Sequence, residues 1–174
     1  MNAVLRPFRS GVTIVLALAL LAGCQTEQVD YPTPSAEEIE PHFAFAGGVS
    51  VAISGNVAQV TVPFDPEEYA LGGDLWAKAM PYIFLFSPGS RDAFDEHPGL
   101  GGVRVISQHP NGETIAEALL SRGTLNQVTW QRAISIAGTA REEGTDRPGT
   151  MQTLVQWGEE HTDFEYNPDY IGSA

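Results

Sequence analysis

The segment 49–63, VSVAISGNVAQVTVP, changes character every second residue. Val49, Val51 and Ile53 alternate with Ser50, Ala52 and Ser54, and Ala58, Val60 and Val62 alternate with Val57, Gln59 and Thr61. A period of two puts alternate side chains on opposite faces of a strand. Between the two arms lies Ser54-Gly55-Asn56, which is turn chemistry, so the segment reads as a β-hairpin with one apolar face. Pro63 has no N–H to give to a ladder and closes the second arm.

Working outward, residues 65–79, DPEEYALGGDLWAKA, fit one or two short helical pieces with Asp74 as an N-cap, and Pro81 is expected to end any helix there. Tyr82-Ile83-Phe84-Leu85-Phe86 is a continuous apolar run bounded by Pro81 and Pro88. Its length and aromatic content predict a strand buried on both faces, at the centre of the core. Ser90 to Phe94 predicts a short helix closed by His97-Pro98-Gly99, and Val103 to Ser107 the next strand. Pro110-Asn111-Gly112 is a turn. Thr114 to Ser121, TIAEALLS, has the composition of a helix, although Ile115, Glu117 and Leu119 alternate; a helix is the expectation.

Thr124 to Gln127 matches a capping box, with Thr129 as a second potential cap. Helices are predicted over about 129–143 and 148–160. Trp130, Ala133, Ile134, Ala137 and Arg141 share a face of the first; Met151, Leu154, Val155 and Gly158 share a face of the second. The short connection makes them an antiparallel pair. Beyond His161 a polar, aromatic tail is expected to lie extended. The fold class that follows is α+β: a small antiparallel or mixed sheet of three to four strands, helices packed on one face, and an antiparallel helix pair at the end.

The N-terminus is different in kind. Met1 to Ser10 carries Arg6 and Arg9 and no acid, and Gly11 to Ala22 is uncharged and apolar. That is the basic region and short hydrophobic region of a secretory signal, and it is shorter than the roughly 20 apolar residues of a membrane span. It ends in Leu21-Ala22-Gly23-Cys24, which holds the single cysteine. This stretch resembles the lipobox of bacterial lipoproteins. The resemblance covers residues 1–25 and implies a diacylglyceryl group on the Cys24 thiol, cleavage before Cys24 and often acylation of the new amino terminus. It also implies an exported protein held by two or three chains, each buried methylene contributing about 0.8 kcal/mol. Gln25 in place of Asp is similar to residues passed on to the outer membrane where the cell has one. The expected organisation is a signal peptide over 1–23, a lipidated N-terminus and flexible proline-bearing tether over 24–41, and one globular domain over 42–174.

Loss of the signal removes Arg6 and Arg9, so seven bases face 22 acids and the formal charge moves from −13 to −15. Such a surface argues against nucleic acid, which is bound by neutralising phosphates with Lys and Arg. One cysteine permits no intrachain disulfide, and with that cysteine lipidated no Cys-based zinc site is open to the domain. Lys78 follows no glycine-rich loop, so P-loop chemistry does not fit. Gly99-Leu100-Gly101-Gly102 precedes a strand rather than opening a helix and reads as a connection. Ser87 and Ser90 read as turn or N-cap residues, since no nucleophile elbow surrounds them.

Two clusters carry metal-type side chains. Asp92, Asp95, Glu96 and His97 share a short helix, where early acids ordinarily complement the helix dipole. His161, Asp163 and Glu165, beside Glu159 and Glu160, could ligate a metal or pair as acid and base; a histidine at a helix C-terminus is the ordinary reading. Neither pattern amounts to a catalytic motif or points to a cofactor. Trp76, Trp130 and Trp157 with Tyr82, Tyr166 and Tyr170 would suit a glycan or peptide groove if exposed, and a core if buried. The leading expectation is therefore a lipid-anchored envelope protein that binds an envelope protein or glycan without catalysing a reaction; the rival is a metal-assisted hydrolase using His161, Asp163 and Glu165. Replacing Cys24 by Ser should abolish lipid incorporation and membrane fractionation in the native host; a Cys24→Ser protein of mature size that still sediments with membranes would contradict the anchor.

Overall fold

The structure is a computed structural model that describes residues 31–45 and 47–172; the signal and lipobox expectations lie outside the described residues. The hairpin forms as β1 (Ser50–Ser54) and β2 (Val57–Pro63), with Val51 opposite Val60 and Ile53 opposite Ala58. The fold then departs from the expected three to four strands. Among the described residues five strands, completed by β3 (Gly102–Gln108), β4 (Thr114–Ser121) and β5 (Asp163–Tyr166), form one mixed sheet in the order β1-β2-β3-β4-β5. Only β2 and β3 run parallel. Parallel neighbours need a long crossover, and this one carries α2 (Pro66–Leu85) and α3 (Pro88–Glu96).

Tyr82 to Phe86 is not a strand. It is the last turn and C-cap of α2, and Pro81 lies inside that helix. The break comes earlier, at Gly73, whose φ of 56° and ψ of −144° separate helical pieces over 66–72 and 74–85. The first piece is capped by Asp65, whose Oδ1 accepts from the Glu67 and Glu68 amides; the Asp74 carboxylate accepts instead from the Gly172 amide. The second piece is wrapped on nearly every side: it packs on β3 and β4 and carries α4 (Gln127–Glu143) and α5 (Pro148–His161). A helix buried all round has no polar stripe, and its sequence cannot be told from a buried strand by period. A proline inside a helix costs about 3 kcal/mol, a sum that burial of Met80, Tyr82, Ile83 and Leu85 can offset.

The segment 114–121 is the converse case. It is β4, a central strand, despite its helical composition. Ala116, Ala118 and Leu120 are buried, while Glu117 and Leu119 on the other face are half-buried. The alanines face the helical layer together with Ala58, Val60, Val62, Val103 and Val105. Pairing with two neighbouring strands overrides the local preference. The expected helix pair is present as α4 and α5, but it does not end the chain. The tail forms β5, with Phe164 opposite Ala118 and Glu165 opposite Glu117.

The folded part also begins earlier than His42. Ser35 and Glu38 form a capping box on α1 (Ala36–Ile39), and a 3-10 turn follows over Glu40–Phe43. Pro34, Ile39 and Phe43 are buried, so the second half of the segment expected as a tether is packed. Among the described residues no helix is long and apolar enough to cross a membrane.

The helical layer closes on Tyr82. A Cβ on Gly158 of α5 would lie 2.4 Å from the Tyr82 ring, so only glycine lets the two helices approach this closely. The Tyr82 hydroxyl is 2.9 Å from that of Tyr166 on β5, which donates to Glu159 Oε1 at 3.1 Å. Lys78 lies over the Tyr166 ring at 5.2 Å. Burial pushes the Tyr82 phenol up to about 12, the hydrogen bond from Tyr166 acting the other way; burial and the bond to Tyr82 raise Tyr166 as well. Both phenols are therefore held neutral, whereas in the unfolded chain they ionise near pH 10. Their contribution is fully present below about pH 10 and is lost as pH rises toward 12. Urea midpoints should fall over that interval, and Tyr82→Phe should flatten the decline; an unchanged alkaline slope in that variant would count against this network.

Candidate functional site

A cavity of about 550 Å³ lies where α3, the end of β4 and the start of α4 meet. Its apolar floor comes from Phe94, Leu120, Leu125 and Trp130; the rings of Phe94 and Trp130 tilt against each other at 6.2 Å. Arg91 and Asp95 of α3, Arg122 after β4, and Gln127 and Gln131 of α4 supply its polar wall. Local sequence positions these groups. Ser87 caps α3, its Oγ accepting from the Ser90 amide, and the Ser90 hydroxyl donates to the Phe84 carbonyl. These two buried serines are thus helix-entry residues. α4 is capped by Asn126, not by Thr124: Asn126 Oδ1 accepts from the Val128 and Thr129 amides, and Thr129 Oγ1 accepts from the Asn126 amide.

Arg122 supports this wall. Its guanidinium lies 5.1 Å from the Phe94 ring centroid and donates to the carbonyls of Phe94, His97 and Leu100. These groups surround the carbonyl end of α3, where a cation also meets the negative end of the helix dipole. Arg91 instead holds Asp92 Oδ1 through both Nε and Nη2. The result is an aromatic and aliphatic floor ringed by two guanidinium groups, two amides and a carboxylate. Such a lining stacks on the apolar face of a ring and hydrogen-bonds the groups around its edge.

The expected cluster at the C-terminal end of α5 does not assemble. His161 Nδ1 is 2.8 Å from the Trp157 carbonyl, and its ring stacks on the Trp157 indole at 4.0 Å. Trp157 is itself buried, with the Arg132 guanidinium 4.6 Å from its ring. Asp163 and Glu165 are exposed on β5. His161 and Asp163 border one shallow depression, whereas Glu165 borders another with Glu113 and Glu117. His161, Asp163 and Glu165 do not bring three ligand atoms together.

The cluster on α3 divides. Asp92 pairs with Arg91, Asp95 lines the cavity, and Glu96 and His97 turn toward His42. His42, Glu96 and His97 each offer one ligand atom, all within 4.8 Å of one another, and they are the one such convergence among the described residues. His42 Nε2 lies 3.8 Å from Glu96 Oε2, and the two imidazoles meet edge to face at 5.6 Å.

No family model, curated protein or solved structure matches this chain. The site therefore has to be read from its own geometry. Of the three tryptophans, Trp130 borders the cavity, Trp157 is in the core, and Trp76 is half-buried with its indole N–H unpartnered. Sequence reasoning placed Glu96 and His97 together because they are adjacent; nothing local links them to His42. Nor did it single out Arg122. Arg122→Met keeps the aliphatic stem over Phe94 but removes the donors. It should cost about 1.5–3 kcal/mol in urea unfolding and speed amide exchange at the end of α3. Unchanged exchange there would show that Arg122 does not support the helix end.

Proposed function

We propose that this chain is an exported, lipid-anchored envelope protein whose folded part is a non-catalytic binding module for an envelope oligosaccharide. In this reading Cys24 carries the anchor, Gln25 directs the protein to the outer membrane where one exists, and the cavity between α3, β4 and α4 receives the ligand. The observation that carries it is the lining of that cavity: the Phe94 and Trp130 rings beneath Arg91, Asp95, Gln127 and Gln131. Sugar rings present an apolar face edged with hydroxyls, and this lining offers a surface to each. The net charge of the chain, −13, favours a neutral partner over a polyanion such as nucleic acid. A hydrolase built on His161, Asp163 and Glu165 has less support, because His161 is engaged with Trp157 and Glu165 borders a separate depression.

Oligosaccharide fragments of the host envelope, titrated into the protein by calorimetry, should bind saturably. Trp130→Ala should weaken that binding by about tenfold or more while leaving the far-ultraviolet circular dichroism unchanged. A control at the exposed Val128, Val128→Ala, should bind as the parent does. Equal affinity in the Trp130→Ala variant, or no binding at millimolar ligand, would rule the reading out.

A further inference from the structure

The segment 31–45 rests on the domain by an unusual combination of contacts. Pro34, Ile39 and Phe43 are buried plugs. The backbone approaches closely at two glycines: a Cβ on Gly89 would lie 1.9 Å from the His42 carbonyl oxygen, and one on Gly99 would lie 2.1 Å from that of Pro32. Against this, the segment's polar links to the rest of the domain are few. Its side-chain hydrogen bonds are internal, Ser35 with Glu38. The charged contact that crosses to the domain is His42 with Glu96. Arg141 of α4 lies over the Phe45 ring at 5.9 Å, and the charged side chains that meet across the boundary are those of His42 and Glu96, where His97 also converges.

We propose that His42, Glu96 and His97 form a three-ligand site for a divalent transition metal of the zinc type, and that the ion clasps segment 31–45 to the C-terminal end of α3. This inference is independent of the oligosaccharide reading. Two imidazoles and one carboxylate are a ligand set that zinc accepts, leaving a fourth position for water. Ligand atoms around a tetrahedral zinc lie about 3.3–3.5 Å apart. The 3.8 Å between His42 Nε2 and Glu96 Oε2 is within a small side-chain rotation of that spacing.

The ligands differ in freedom, as an assembling site requires. The side chain of His42 is 13% exposed and its backbone is pinned at Gly89, whereas that of Glu96 is 67% exposed and free to swing inward. His97 follows α3 as its C-cap, with its carbonyl held by Arg122. The Glu38 carboxyl of the same segment is held below the usual range chiefly by hydrogen bonds from Ser35. No electron transfer or bond cleavage is involved. The ion displaces water from the three ligands.

The consequence follows from topology. Segment 31–45 is the link between whatever precedes residue 31 and the sheet. Metal bound at His42 would hold that link against α3, and its removal would leave the apolar plugs alone to do so.

The test uses the full chain purified in detergent and stripped with a chelator, with Zn²⁺ and Co²⁺ as probes. One Zn²⁺ per chain is expected, with a Co²⁺ absorption spectrum of mixed nitrogen and oxygen ligation. Glu96→Gln and His97→Ala should each weaken binding by tenfold or more. Glu96→Gln is the variant that keeps the test sound, because Glu96 is exposed and its loss spares the core. Zn²⁺ should also slow protease cleavage within 31–45 in the parent and not in either variant. Absence of stoichiometric binding, or binding that survives both substitutions, overturns the site. Binding lost in the variants but without any change in cleavage of 31–45 overturns the clasp.

Discussion

The domain over residues 31–172 is arranged around the second half of α2. Residues 74–85 lie between the sheet and the α4–α5 pair, and Met80, Tyr82, Ile83 and Leu85 are buried. Two constraints make that sandwich close. On the α5 side, Gly158 must lack a side chain because the Tyr82 ring occupies the space. On the sheet side, Ala116 and Ala118 of β4 place small groups where the helix packs. Interiors are packed near crystal density, so a methyl group added at Gly158 would displace the ring or the helix.

From that arrangement the rest follows. A helix that must lie across β3 and β4 requires a crossover between β2 and β3, and a crossover makes those strands parallel, while hairpins leave β1 and β2, and β3 and β4, antiparallel. The tail is then recruited by polar groups at the edge of the sandwich. Tyr166 reaches Tyr82 and Glu159, Tyr69 donates to the Tyr170 carbonyl, and the Gly172 amide meets Asp74. These bonds join β5 and the described residues after it to α2 and α5, which is why residues 163–172 pack on the domain.

α3 is where the fold turns toward function. One flank, with Arg91, Phe94 and Asp95, faces the cavity; its C-terminal end, with Glu96 and His97, faces His42. Arg122 serves both, since the carbonyls it holds belong to Phe94 in the cavity floor and His97 in the histidine cluster. The oligosaccharide and metal readings are chemically separate, yet they share this support. Energies measured at one place should therefore not be strictly additive with substitutions at the other.

Where strands and helices have one wet face, they were legible in the sequence. The 49–63 hairpin alternates because its outer face is half-exposed, and α4 and α5 show a helical stripe for the same reason. The signal-like N-terminus and the acidic charge are likewise properties of composition. What composition could not decide are the places buried on all sides. Residues 82–86 carry no period because α2 is wrapped by sheet and helices. Residues 114–121 look helical because a central strand under a close-packed helix needs alanine. The candidate site divides the same way. Glu96 and His97 are neighbours in the chain and could be noticed together, but His42 joins them only because buried Ile39 and Phe43 hold its segment against α3. Local periodicity records which side of an element meets water; it holds no record of which distant segment covers the other side, and that is settled only by packing.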